Sequence, residues 1–168
     1  MAAPTLRIIA FINGIFLITL AISMLVPMLT LVLFDRAIEL NGFLWSSLIT
    51  FVAGLAMIIQ GRPQDVQLRP RDMYMLTVSS WLLVCLFAAL PFMLSQRMDL
   101  TDAIFESMSG ITATGATVLS GLDSMSPGIL MWRSLLHWLG GIGFIAMAVA
   151  ILPMLRIGGM RLFQTESS

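Results

Sequence analysis

Residues 102–117, DAIFESMSGITATGAT, decide how this chain folds. A short apolar stretch runs into a string of Thr, Gly and Ala, and the whole lies between two segments long enough to cross a bilayer. A hydrocarbon core about 30 Å thick needs a helix of about 20 residues. Asp102 to Ser109, wound as a helix, rises only about 12 Å. Such a segment suits a partial entry into the membrane followed by a return through extended backbone. Non-helical backbone is tolerated at that depth only where protein buries it or where it lines a watery cavity. Read by itself, the Thr/Gly/Ala string fits an external loop between two spans as well as it fits a re-entrant pore loop.

The surrounding composition belongs to a membrane. Hydrophobic residues make up 58% of the chain, charged residues 11%, and the mean hydropathy is +0.96, against about 25% charged residues in an ordinary soluble domain. Nine arginines balance nine acids, so no basic field points to a nucleic-acid partner. The single Cys85 lies in an apolar run and supplies neither a disulfide framework nor a thiolate metal site. The apolar run that starts at Ile8 passes Thr30, too long for a cleaved leader and suited to a first anchor.

Four long apolar segments are expected to span: about 6–34, 43–60, 73–94 and 127–153. Pro27 and Pro91 predict kinks in the first and third, because proline lacks a backbone donor and crowds the preceding turn. Arg7, Arg62, Arg69, Arg71, Arg156 and Arg161 fall on one side, and Arg36, Arg97 and Arg133 on the other. The positive-inside bias therefore predicts cytoplasmic termini and a cytoplasmic loop at 61–72, with the short segment dipping in from outside.

The short segment has helix signals of its own. Thr101 and Asp102 suit an N-terminus, Ile104, Phe105, Met108 and Ile111 share one face, and Gly110 offers a left-handed stop. The negative end of the helix would then favour a cation beyond it. The following small residues suit a row of carbonyl oxygens that replaces an ion's water shell. Glu106 is a costly intramembrane carboxylate and is expected either to hydrogen-bond the backbone of that row or to face a watery vestibule. Arg133 is expected to snorkel to the interface, Asn13 to bond a neighbouring helix, His137 to serve helix packing, and Gly140, Gly141 and Gly143 to permit close helix approach. An intramembrane serine hydrolase built on Ser107, Ser109 and His137 is disfavoured, because E-S-M-S-G lacks the nucleophile-elbow pattern and the histidine stands far off in sequence. A small structural or regulatory membrane subunit without a pore of its own remains an alternative.

The stretch from Arg71 to Ser168 holds the blocks FESMSG, TATGAT, HWLGGIGFIAMAVAILP and GGMRLFQTES in one order. In this it resembles the first pore repeat of the Trk/Ktr/HKT superfamily of potassium transporters, nearest to the TrkH/TrkG type of membrane subunit. The resemblance implies an all-α integral membrane protein. Two pre-domain helices (1–60) and a cytoplasmic loop (61–72) would precede an M1–pore helix–M2 repeat (73–155) and a cytoplasmic tail (156–168). It implies that Thr112, Ala113, Thr114 and Gly115 bind potassium through backbone carbonyls, with Gly115 as the selectivity glycine. Glu106, Gly110, Ala116 and Thr117 would support the filter. Ala113 departs from the threonine common in the family at that place, which matters only if a hydroxyl holds the strand. No cofactor is implied, potassium being the substrate. The implied partners are the lipid bilayer, further pore repeats or identical chains, and a cytoplasmic nucleotide-binding regulatory subunit. The implied location is the bacterial cytoplasmic (inner) membrane. The family builds its pore from four repeats, whereas no second FESxSG or TxTGxT block occurs in residues 1–70. The chain is therefore expected to be an N-terminal fragment or truncated product of a pore-forming subunit, or, less simply, to assemble as a homotetramer.

Overall fold

The computed structural model describes residues 3–36, 39–61, 69–143 and 145. The loop arginine Arg62 and the tail arginines Arg156 and Arg161 lie outside these residues, as does most of the expected cytoplasmic loop and all of the tail. Every regular element described is helical: α1 (Ala3–Ser23), α2 (Leu25–Leu33), α3 (Leu40–Gln60), α4 (Pro70–Ala88), α5 (Leu90–Gln96), α6 (Leu100–Ile111), a 3-10 turn at Leu122–Ser124, and α7 over 127–143.

The first apolar segment is one span with a break. α1 and α2 meet at Met24, three residues before Pro27, where the missing proline N–H leaves the ladder open. Likewise α4 and α5 meet at Ala89, two residues before Pro91. Taken through these breaks, three stretches are long and apolar enough to cross a bilayer: Thr5–Leu33 with 29 residues, Leu40–Gln60 with 21 and Arg71–Gln96 with 26. The fourth expected span is described only over 127–143 and at 145.

Small residues set the closest packing. A Cβ added at Gly14 would lie 2.7 Å from the carbonyl of Gly54, and one at Gly54 would lie 2.9 Å from the carbonyl of Gly14. α1 and α3 therefore cross backbone to backbone, the close approach that dispersion needs where lipid offers no hydrophobic drive. Asn13 is 2% exposed. It donates to Ser79 Oγ at 2.9 Å and accepts from Ser80 Oγ at 2.6 Å, pinning α1 to α4.

The core collects Leu17, Leu20 and Met24 of the first span, Phe43 of α3, Ala88, Ala89 and Phe92 around the second break, and Ile129, Trp132 and Leu136 of α7. Trp132 anchors it. Its indole packs edge-on to Phe43 with ring centroids 6.4 Å apart, and its N–H donates at 3.0 Å to the carbonyl of Ala88, in the turn that Pro91 disrupts. The outward faces are apolar: Leu29, Val32, Trp45, Ile59, Val78 and Leu82 are all more than half exposed. Around a soluble protein that surface would be a liability; against lipid it is the expected solvent contact.

Candidate functional site: the segment that follows the short helix

α6 has 12 residues, a rise of about 18 Å, which is too short for a span. It starts one residue before Thr101, so Asp99 rather than Thr101 or Asp102 occupies the capping position, and Asp102 sits in the first turn beside the positive helix end. It also runs past the glycine expected to stop it. Gly110 is buried inside the helix with Leu136 of α7 against it, so that a Cβ there would lie 2.8 Å from the Leu136 Cβ. Its missing side chain serves helix contact, while its carbonyl stays available to the turn that follows.

The left-handed residue is Ala113, at φ 54°. Around it the Ala113 N–H donates to the carbonyl of Gly110 at 2.9 Å and the Thr114 N–H donates to that of Ser109 at 3.0 Å. This crossed pair of bonds is the Schellman closure of a helix C-terminus, usually built on glycine. An alanine in that conformation costs about 1–2 kcal/mol, which the two bonds and the Thr112 N–H bond to Met108 (2.9 Å) offset. The Thr112 hydroxyl adds a bond to the Met108 carbonyl at 2.8 Å and lies 2.7 Å from the Thr114 hydroxyl.

Beyond the closure the chain turns back along α6. Gly115 takes φ 80°, a conformation that side chains disfavour. The Ser109 hydroxyl then donates to the carbonyl of Ala116 at 2.6 Å. One turn further back, Glu106 Oε1 accepts from the Thr117 hydroxyl at 2.5 Å and from the Val118 N–H at 2.7 Å. The return strand is thus tied at 116–118. By contrast, no described residue donates to the carbonyls of Thr112, Ala113, Thr114 or Gly115. All of 112–118 is exposed. The geometry is a short helix, a tight closure, a run of four unclaimed carbonyls containing one left-handed glycine, and an anchored exit.

α7 backs this arrangement. A Cβ at Gly140 would overlap the carbonyl of Ile111, so the helix lies directly on the end of α6, and His137 Nε2 is 4.0 Å from where a Gly115 Cβ would stand. His137 Nδ1 lies 2.8 Å from the carbonyl of Arg133, which requires the proton on Nδ1. Arg133 does not reach for an interface. Its Nε donates at 3.0 Å to Oε2 of Glu106, with the two side chains 14% and 0% exposed.

The serines of the hydrolase alternative are engaged with backbone. Ser107 donates to the carbonyl of Cys85 at 2.9 Å and Ser109 to that of Ala116, while His137 bonds the Arg133 carbonyl, so no Ser–His pair forms among them. Among the described residues no cluster of His, Cys, Asp or Glu suits a resident metal ion.

A family model described as TrkH, cation transport protein, matches residues 41–168. The Trk system potassium uptake protein TrkI of Halomonas elongata is 42% identical over 99% of this chain. The Trk system potassium uptake protein TrkH of Escherichia coli K12 is 37% identical over 95% of it. The chain spans about a third of the length of these curated relatives, 33% in each case. The crystal structure of the potassium transporter TrkH from Vibrio parahaemolyticus superposes with a TM-score of 0.85 at 34% identity, covering 98% of this chain and 35% of the other.

Proposed function

Because the chain belongs to the TrkH cation transport family, we propose that it contributes one pore repeat to potassium uptake across a bacterial cytoplasmic membrane. In this reading α4–α5 is the first helix of the repeat, α6 enters the membrane partway as a pore helix, 112–118 returns as a filter strand, and α7 is the second helix. α1 to α3 form the pre-domain. The carbonyls of Thr112, Ala113, Thr114 and Gly115 replace part of the water shell of the permeating ion. Glu106, Gly110, Ala116 and Thr117 hold the strand in place. The carrying observation is the run of four exposed residues whose carbonyls no described residue claims, beginning at the end of a short helix. Oxygens left free beside anchored ones are what a cation site requires.

A single strand supplies one side of a cation's coordination shell, so further repeats or identical chains complete the ring. Both termini and loop 61–72 face the cytoplasm. There the loop and the Arg156–Arg161 tail contact a nucleotide-binding regulatory subunit. The chain performs no covalent chemistry.

The test is potassium-limited growth of a host lacking its own uptake systems, expressing the protein as its gene encodes it. Intact protein is expected to restore growth, and a variant with 112–117 scrambled in order is expected not to, at equal membrane level. Growth with the scrambled string would replace the pore by the structural-subunit reading.

A further inference from the structure

The geometry points to Arg133 as a positioning residue for ion selectivity, acting through Glu106 on the exit of the 112–118 strand. This rests on the filter reading above and adds a component to it. Glu106 is a completely buried carboxylate whose two oxygens have different partners. Oε1 collects the Thr117 hydroxyl and the Val118 N–H from the strand, and Oε2 takes Arg133 Nε from α7 at 3.0 Å. The Thr117 hydroxyl in turn accepts the Leu119 N–H at 3.0 Å. One buried charge therefore joins three elements, α6, the strand and α7, that no other described side chain joins at this point.

The chemistry requires the arginine. A buried charge is costly unless it is paired and hydrogen-bonded, and Arg133 Nε is the cationic partner that Oε2 has here. Without Arg133 the buried Oε2 has no partner among the described side chains, and the cost of that unpaired oxygen falls on the same carboxylate that holds Thr117 and Val118. The strand exit, and with it the set of the Gly115 peptide three residues earlier, then loses its fixed reference. The partner atom also matters. The contact uses Nε, which stands at the same bond distance from Cα as the side-chain oxygen of a glutamine.

That coincidence defines the test, made on the protein as its gene encodes it by measuring KM for potassium and the ratio of potassium to sodium uptake. R133Q removes the positive charge and leaves the carboxylate at most a neutral amide donor. E106Q turns a donor amide toward a donor Nε. Each is expected to lower the uptake ratio by about tenfold, the size of coupling usual for contacting residues. The double variant E106Q/R133Q restores a donor opposite an acceptor, while the amide oxygen at position 106 still accepts from the strand, and is expected to recover to within about threefold of the parent. R133K keeps the charge one bond further out and is expected to fall between. Should R133Q fail to accumulate in membranes, the double variant and R133K carry the comparison. A ratio unchanged in the single variants, or a double variant as impaired as the product of the singles, overturns the assignment. G115A measured in parallel separates the failures. If it loses the ratio while R133Q keeps it, only the role of Arg133 falls; if it too keeps the ratio, the filter reading falls with it.

Discussion

Gly115→Ala is expected to cut the preference for potassium over sodium by about tenfold, because a left-handed conformation costs a side-chain-bearing residue about 1–2 kcal/mol. The position has φ 80°, and the added methyl would stand 4.0 Å from His137 Nε2. There is room for the atom and no ease for the backbone. The strain therefore escapes by rotation of the adjoining peptides, which are the ones whose carbonyls are free, rather than by displacement of α7. Membrane level and melting temperature are expected to change little while the uptake ratio collapses. Ala113, also left-handed at φ 54°, is a useful contrast. There the conformation is held by the Ala113 and Thr114 amide bonds to α6, so Ala113 tolerates a side chain that position 115 does not.

Gly140→Val has the opposite signature. Its Cβ would overlap the carbonyl of Ile111, a backbone atom at the closed end of α6 that no rotamer change removes. α7 must lift from α6 along its length, unseating Leu136 from Gly110 and stretching the Arg133–Glu106 contact. A loss of at least about 3 kcal/mol is expected, at the upper range for overpacking a close-packed site. Thermal unfolding in detergent checks it, and uptake falls through reduced folded protein. Gly141→Ala is the control, since no described atom lies within 4 Å of an added Cβ there and the melting temperature is expected to hold. Equal effects at 140 and 141 would contradict the backbone contact between α7 and α6.

The helical frame was legible because lipid forces it. An apolar run such as 43–60 has no alternative to satisfying its own backbone, and the structure winds it as Leu40–Gln60. Pro27 and Pro91 marked the breaks, which fall at Met24 and Ala89, on the side where the missing N–H and the ring act. The detail of the α6 end was not legible. Glycine is the usual left-handed stop, so Gly110 was the natural choice, but the need for α7 to lie against the helix claimed Gly110 for contact and pushed the closure to Ala113. Arg133 was misplaced for a related reason. Near the start of an apolar segment an arginine commonly snorkels, and its sequence distance from Glu106 hides the pair. One signal was present: a carboxylate on a short apolar helix demands a cation, and Arg133 lies in the first two turns of the helix that packs against it. That, among the described residues, Gly140 meets a neighbour while Gly141 and Gly143 do not, also depends on helix rotation, which spacing alone does not set.

A cysteine at Thr114, on a background in which Cys85 is replaced by alanine, reports most directly on whether an ion passes this strand. The probe is external silver, a thiol-reactive monovalent cation, applied to cells taking up potassium. If the carbonyls of Thr112–Gly115 line the path, silver blocks uptake in the Thr114→Cys variant and not in its parent. Excess potassium then slows the block by about tenfold through competition for the same oxygens, while sodium protects much less. Modification at the same rate with and without potassium, by silver and by bulky hydrophilic thiol reagents alike, would place Thr114 on an open external loop and contradict the pore.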